Sequence, residues 1–413
     1  MAGSVDSAAA RGYILRFRAM KEKILLSASL FHALNDGATV VVPMVFPLLY
    51  SQGFLITSYS QIGLLSNLGL LATLLVQVFV VRLSYAHEYR RLLAVSLGGI
   101  LLTLVFLTQA RTFAVLVLLY LLLRIATSFY HPIIIAWIAK SHPEEALDSA
   151  MGIQSGSGNV GVFVAFLSAG FIAQRWTWQT PFFAWAVLGL GLGTVGLLAL
   201  RGISSRGEET PSLDIRAWGR VLKSIKAYIP GFIFGGLGWS VAVYYAPSLL
   251  NHRFGVPLGG TGLVLALWIG LGTLSGYSYG RLSRRFGRRP VFLVSIAGGA
   301  LSLFVIGLAR TRSVAEAGIV AFGAFLLLTY PSLHTFVGSS TPDEAQTLAF
   351  SWVSNIQLIS GAVVTLLAGW LSDRFGIRSP FLLAGGLALA VFLYYVVRWP
   401  AAERRNAPAG SVA

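Results

Sequence analysis

Long apolar runs cover almost all of this 413-residue chain. Each is about 20 residues or more, enough to cross roughly 30 Å of hydrocarbon as a helix. Lipid offers the backbone no hydrogen-bond partner, so such runs must be helical. Twelve spans are expected, at 23–50, 57–84, 90–109, 112–140, 146–173, 178–200, 224–251, 258–282, 289–309, 313–338, 343–371 and 378–399. Only 11% of the residues are charged and the mean hydropathy is +0.74. A soluble protein of this length would need far more charge to cover its surface. Residues 1–21 are small, polar and basic, with no apolar stretch that would serve as a removable signal peptide. The absence of cysteine excludes disulfides and thiolate sites.

Most connections between spans are short. The exception, residues 201–222, is polar, mixed in charge and contains Pro211. It reads as a linker, which gives a tail at 1–22, one half at 23–200, the linker at 201–222, a second half at 223–399 and a tail at 400–413. The stretch from Ile215 to Lys226 is expected to form a short helix lying on the membrane surface. Of the 31 basic residues, 23 fall in the tails and the connections on their side, seven fall on the other side, and Arg124 lies within a span. That bias places both termini in the cytoplasm. It also accounts for the net charge of +16 without nucleic acid as a partner. No Gly-x4-Gly-Lys-Ser/Thr phosphate loop is present, so an ATP-driven or enzymatic role is not expected, and no cofactor is implied.

The two halves repeat. Residues 142–182 align without a gap on 341–381, an offset of 199, matching Pro143, Glu145, Ser155, Gly170, Arg175 and Pro181 with Pro342, Glu344, Ser354, Gly369, Arg374 and Pro380. Six helices repeated in parallel is the arrangement of transporter halves that rock about a midplane site. The run GRLSRRFGRR, at 280–289, resembles the signature loop of the major facilitator superfamily. The resemblance implies an all-α membrane fold of twelve helices in two six-helix pseudo-repeats, working as a monomer. It also implies gating by Gly280, Arg281, Arg285, Arg288 and Asp373. Arg284 stands where the family has Asp, whereas Asp373 in GWLSDRFG keeps an Asp-Arg pair at the opposite end of the spans. FHALNDGATVVVPMVFPLLY (31–50), SYSQIG (58–63), FYHP (129–132) and GIQSGSGNVGVF (152–163) resemble the fosmidomycin-resistance group of bacterial exporters. That resemblance implies export of a small compound in exchange for protons.

Ionisable groups at mid-membrane depth are costly and mark function. Asp36 is the one acid deep in a span, and Arg124 enters to similar depth from the other side in the fourth span. A carboxylate that loses its proton beside a fixed guanidinium is a coupling element, although the same pair would also serve as a permanent brace. Arg124 could instead bind an anionic substrate, which gives the alternative reading of uptake or exchange of an organic anion. His32 lies one turn before Asp36, and His131 seven residues after Arg124, so both join the proton-coupling candidates. No metal is implied, because the histidines lie on different helices. Asn35, Gln154, Asn159 and Asn355 are candidates for holding polar groups of a substrate, with His334. Trp239, Tyr244, Trp268, Tyr330 and Trp352 are candidate stacking walls. Tyr330 is the repeat mate of His131, and the mate of Asp36 falls at Gly235 or Gly236, which concentrates the chemistry in the first half.

Overall fold

The computed structural model describes residues 5–53, 55–207 and 215–406. Residues 208–214 of the expected linker and 407–413 of the expected tail lie outside the described residues. The first half contains α1 (Val5–Gln52), α2 (Tyr59–Ala86), α3 (Tyr89–Leu107), α4 (Phe113–Thr127), α5 (Tyr130–Ser141), α6 (Glu144–Arg175) and α7 (Thr180–Ala199). A short α8 (Ile215–Ile225) follows. The second half contains α9 (Ile229–Ser248), α10 (Leu258–Phe286), α11 (Arg288–Leu308), α12 (Arg312–Ser340), α13 (Asp343–Phe375) and α14 (Ser379–Asn406). Among the described residues there is no strand, and twelve helical stretches are long and apolar enough to cross a membrane.

Two local departures from the expected spans matter. The first helix begins at Val5, well before the span expected from residue 23. The fourth span divides into α4 and α5 around Ser128 and Phe129. Pro132 has no N–H to give the Ser128 carbonyl, which weakens the helix there. Arg124 and His131 therefore stand on separate helical segments. In the second half the matching Pro331 is carried inside an unbroken α12.

The halves meet mainly through two helix pairs, α2 against α13 and α6 against α10, and also through α1 against α9. The 199-residue offset carries one pair onto the other. Glycine lets the backbones touch. A β-carbon at Gly63 would sit 2.5 Å from the Thr365 carbonyl oxygen, and one at its mate Gly262 would overlap the Phe166 carbonyl. Gly170 and its mate Gly369 meet the carbonyls of Leu258 and Tyr59 in the same way. Without a hydrophobic force between helices in lipid, this close contact is what holds them together.

An even number of spans puts both termini at one end of the bundle, opposite its distal end. There α9 continues into a π-helical turn, Leu249–Arg253, that carries His252 across to the first half. Its Nε2 lies 2.9 Å from the Pro47 carbonyl and its Nδ1 2.9 Å from the Tyr59 hydroxyl. A carbonyl can only accept, so Nε2 carries the hydrogen and Nδ1 accepts from Tyr59.

Candidate functional site

Asp36 lies on α1, where 72% of the most apolar stretch is buried. Asp36 nonetheless keeps 28% exposure, and His131 keeps 37%, whereas His32 keeps 8%. Asp36 and His131 thus keep part of their surface open at that depth.

Asp36 is shared by two histidines. Its Oδ2 lies 3.0 Å from His32 Nε2, and its Oδ1 lies 3.4 Å from His131 Nε2. Asn35 Nδ2 donates to Oδ1 at 3.1 Å. The far side of His32 is fixed: Nδ1 is 2.7 Å from the Gln154 backbone carbonyl, and the ring stacks on Tyr130 at 4.8 Å. Tyr130 is held in turn, donating to the Ala28 carbonyl at 2.8 Å and accepting from Gln154 Nε2 at 2.9 Å.

These contacts decide where hydrogen atoms lie. The Gln154 carbonyl accepts only, so Nδ1 of His32 must be protonated. A neutral ring would then turn the lone pair of Nε2 on Asp36 Oδ2 at 3.0 Å, which is repulsive. The contact is favourable only with one further proton, on the ring or on the carboxyl. The bridge therefore holds one proton more than the neutral histidine and the carboxylate carry between them.

Helix α6 makes room for this bridge. A β-carbon at Gly158 would lie 2.6 Å from His32 Nε2 and 2.8 Å from Asp36 Oδ2. Gln154 and Gly158 are one turn apart, so the same face of α6 both orients the imidazole and leaves space for the bridge.

Arg124 does not pair with Asp36, contrary to expectation. It is buried at 8% exposure on α4, and its Nε donates to Thr73 Oγ1 at 3.1 Å and faces the Gly69 carbonyl at 3.4 Å, both on α2. It makes no ion pair among the described residues. Equal depth did not imply contact, because the face of α4 carrying Arg124 turns toward α2 while the histidines already occupy Asp36.

The ground for excluding a metal also fails, since the folded chain brings the two histidines and Asp36 together with ligand atoms within 4.8 Å of one another. The 3.0 Å contact is that of a direct hydrogen bond, and the 3.4 Å contact is longer.

The remaining candidates scatter. Asn35 serves Asp36, and Gln154 serves His32 and Tyr130, so both are supports of the bridge. Trp268 is wholly buried between Trp239, at 5.2 Å, and Phe166 of the first half, at 6.3 Å, and lines no open space. Tyr244 is buried with its hydroxyl 3.3 Å from that of Tyr120, a contact between the halves. Trp352 donates to the Trp218 carbonyl at 3.2 Å, tying α13 to α8. His334 is exposed on α12, beside Phe232 and Phe350. Asn159 and Asn355 are half-buried and make no hydrogen bond to a described residue, which leaves their amides open. Around the signature loop, Arg281, Arg285 and Arg288 make no ion pair among the described residues, and Gly280 sits in the penultimate turns of α10. Arg285 lies over the Phe286 ring.

The repeat explains why one half is polar. The Tyr330 hydroxyl donates to the Gly235 carbonyl at 3.0 Å, in the place where His131 meets Asp36. The mate of Gly158 is Gln357, and a β-carbon at Gly235 would lie 3.2 Å from its Nε2. Side-chain volume is thus exchanged: Asp36 with Gly158 in one half, Gly235 with Gln357 in the other. Thr73, Gly158 and Tyr130 were not singled out as site residues from sequence; only the His32–Asp36 spacing was readable without the fold.

The family model described as Major Facilitator Superfamily matches residues 25–278 and 230–412. The chain is 25% identical over 239 residues to the multidrug efflux protein YfmO of Bacillus subtilis, covering 55% of this chain and 56% of that one. It is 30% identical over 146 residues to the cis,cis-muconate transport protein of Acinetobacter baylyi, covering 33% and 35%. The chain therefore spans little more than half of the one and about a third of the other. With the multidrug resistance protein MdtG of Klebsiella pneumoniae it shares 23% identity over 382 residues, 89% and 92% of the two chains. A crystal structure of a bacterial homologue of the human lysosomal transporter Spinster, inward-facing and occupied, superposes with a TM-score of 0.75 at 15% identity, covering 91% and 96%.

Proposed function

The chain belongs to the major facilitator superfamily, and from that premise we propose that it is a secondary active transporter that exports a small polar or amphipathic compound in exchange for protons held at His32, Asp36 and His131. It works by alternating access in the cytoplasmic membrane, with both termini on the cytoplasmic side. The observation that carries this reading is the bridge at 3.0 Å between a carboxylate and an imidazole whose other nitrogen is fixed as a donor. Such a bridge holds a removable proton on a carboxylate that keeps part of its surface open. The relatives named as multidrug efflux and multidrug resistance proteins support the outward direction, as does the motif likeness to the fosmidomycin-resistance exporters.

The test uses the purified protein in liposomes with an entrapped pH dye. A compound that stabilises the protein in a thermal-shift screen is added under an imposed proton gradient. Substrate-dependent proton movement opposite to substrate flux is the expected result. Substrate flux with no proton movement would sink the coupling, and proton movement in the same direction would reverse its sign.

A second reading is favoured by one observation, the buried Arg124 guanidinium with neutral partners only. Here the chain takes up or exchanges an organic anion, with Arg124 as its ligand, in keeping with the muconate-transporting relative. Arg124→Gln is then expected to abolish counterflow of a dicarboxylate while exchange of an uncharged amphipathic compound continues.

A further inference from the structure

The two helix pairs that join the halves end at the distal side in the same device. Near the end of α6, Gln174 Oε1 accepts the Gly259 N–H at 2.7 Å, in the first turn of α10. Near the end of α13, Asp373 accepts the Tyr59 N–H at 2.7 Å on Oδ1 and the Ser60 N–H at 2.9 Å on Oδ2, in the first turn of α2. The Ser60 hydroxyl also donates to Asp373 Oδ2. Gln174 and Asp373 are repeat mates, and so are Ser60 and Gly259, each pair separated by the same 199 residues.

Each contact therefore joins one half to the other through a helix start. The first N–H groups of a helix have no partner within it, so a side chain from the facing half can satisfy them. The start of a helix also carries partial positive charge, which favours a carboxylate over an amide. Hydrogen bonds to an ionised acceptor are the stronger kind. Gln174 grips one amide with a neutral oxygen; Asp373 grips two with a charged group. Both side chains are exposed, so water can replace their bonds when the helices part. His252, reaching Pro47 and Tyr59, stands beside the Asp373 contact.

We propose that Gln174 and Asp373 form a paired clasp that holds the two halves shut at the distal end, with Asp373 as the stronger member. The clasp rests on the alternating-access reading but not on proton coupling. It assigns Asp373 a partner other than Arg374 beside it in sequence: the backbone of α2 in the opposite half. It also gives Gln174 a role that its sequence context does not suggest.

Because the chain has no cysteine, introduced thiols can be labelled without background. Arg111 and Arg310 are exposed repeat mates on the distal connections of the two halves. With both changed to cysteine and spin-labelled, the full-length protein in nanodiscs reports the distance between halves. Asp373→Ala is expected to raise the long-distance population at least severalfold, Gln174→Ala to raise it less, and the double variant to raise it more than either. Gln174→Glu, which places a carboxylate at the second helix start, is expected to shift the population the other way. That gain guards against a misfolded loss variant. An unchanged distribution in a folded double variant overturns the clasp, and so does a Gln174→Ala effect larger than that of Asp373→Ala. The expected shifts in a protein that moves no protons would leave the clasp standing and remove the exchange mechanism.

Discussion

Asp36→Asn is expected to abolish proton-driven uphill transport while exchange down a substrate gradient continues near the wild-type rate. The substitution suits the site closely. His32 keeps its Nδ1 hydrogen on the Gln154 carbonyl, so its Nε2 needs a donor from residue 36. Asparagine supplies that hydrogen from its own amide, with almost no change in shape. The bridge therefore persists without a removable proton, and helix packing is preserved. Loss of accumulation by tenfold or more, about 1.4 kcal/mol or beyond in the coupled step, is the expected size. Accumulation and counterflow measured on the same liposomes separate the two functions. Full proton-driven accumulation by the variant would remove Asp36 from the mechanism.

The second large effect concerns a residue with no chemistry of its own. Gly158→Ala places a methyl group 2.6 Å from His32 Nε2 and 2.8 Å from Asp36 Oδ2. Something must move, and His32 is anchored on the same helix by Gln154, so the bridge itself opens. Overpacking of this kind costs about 1–3 kcal/mol. Proton-coupled transport is expected to fall with it, and melting to occur several degrees lower. Gly152→Ala is the control on the same helix, since a β-carbon there meets nothing within 4 Å. It should be neutral or slightly stabilising, because alanine suits a helix better than glycine by about 0.5–1 kcal/mol. If both variants melt and transport alike, Gly158 is not making room for the bridge.

The architecture was readable from hydropathy because each span must satisfy its own backbone. The repeat was readable because polar and proline matches recur in one register. The His32–Asp36 contact followed from four-residue spacing on one helix. What could not be read was direction around each helix axis. Depth arithmetic put Asp36 and Arg124 level, yet Arg124 faces Thr73 and Gly69 on α2. The metal was set aside because His32 and His131 lie on different helices, but packing brings their nitrogens to one carboxylate. Gln154 read as a ligand-binding amide; its backbone oxygen, which no side-chain pattern reports, turned out to set the tautomer of His32.

The exchange of side-chain volume between the halves bears on how such a carrier can change over time. Gly235 occupies the place of Asp36, but a side chain there would run into Tyr330 at 3.1 Å and Gln357 at 3.2 Å. Even the β-carbon of a second acid would need Tyr330 and Gln357 to give way by a few tenths of an ångström. If one acid sets the number of protons moved per cycle, crowding around Gly235 adds a packing cost to gaining a second.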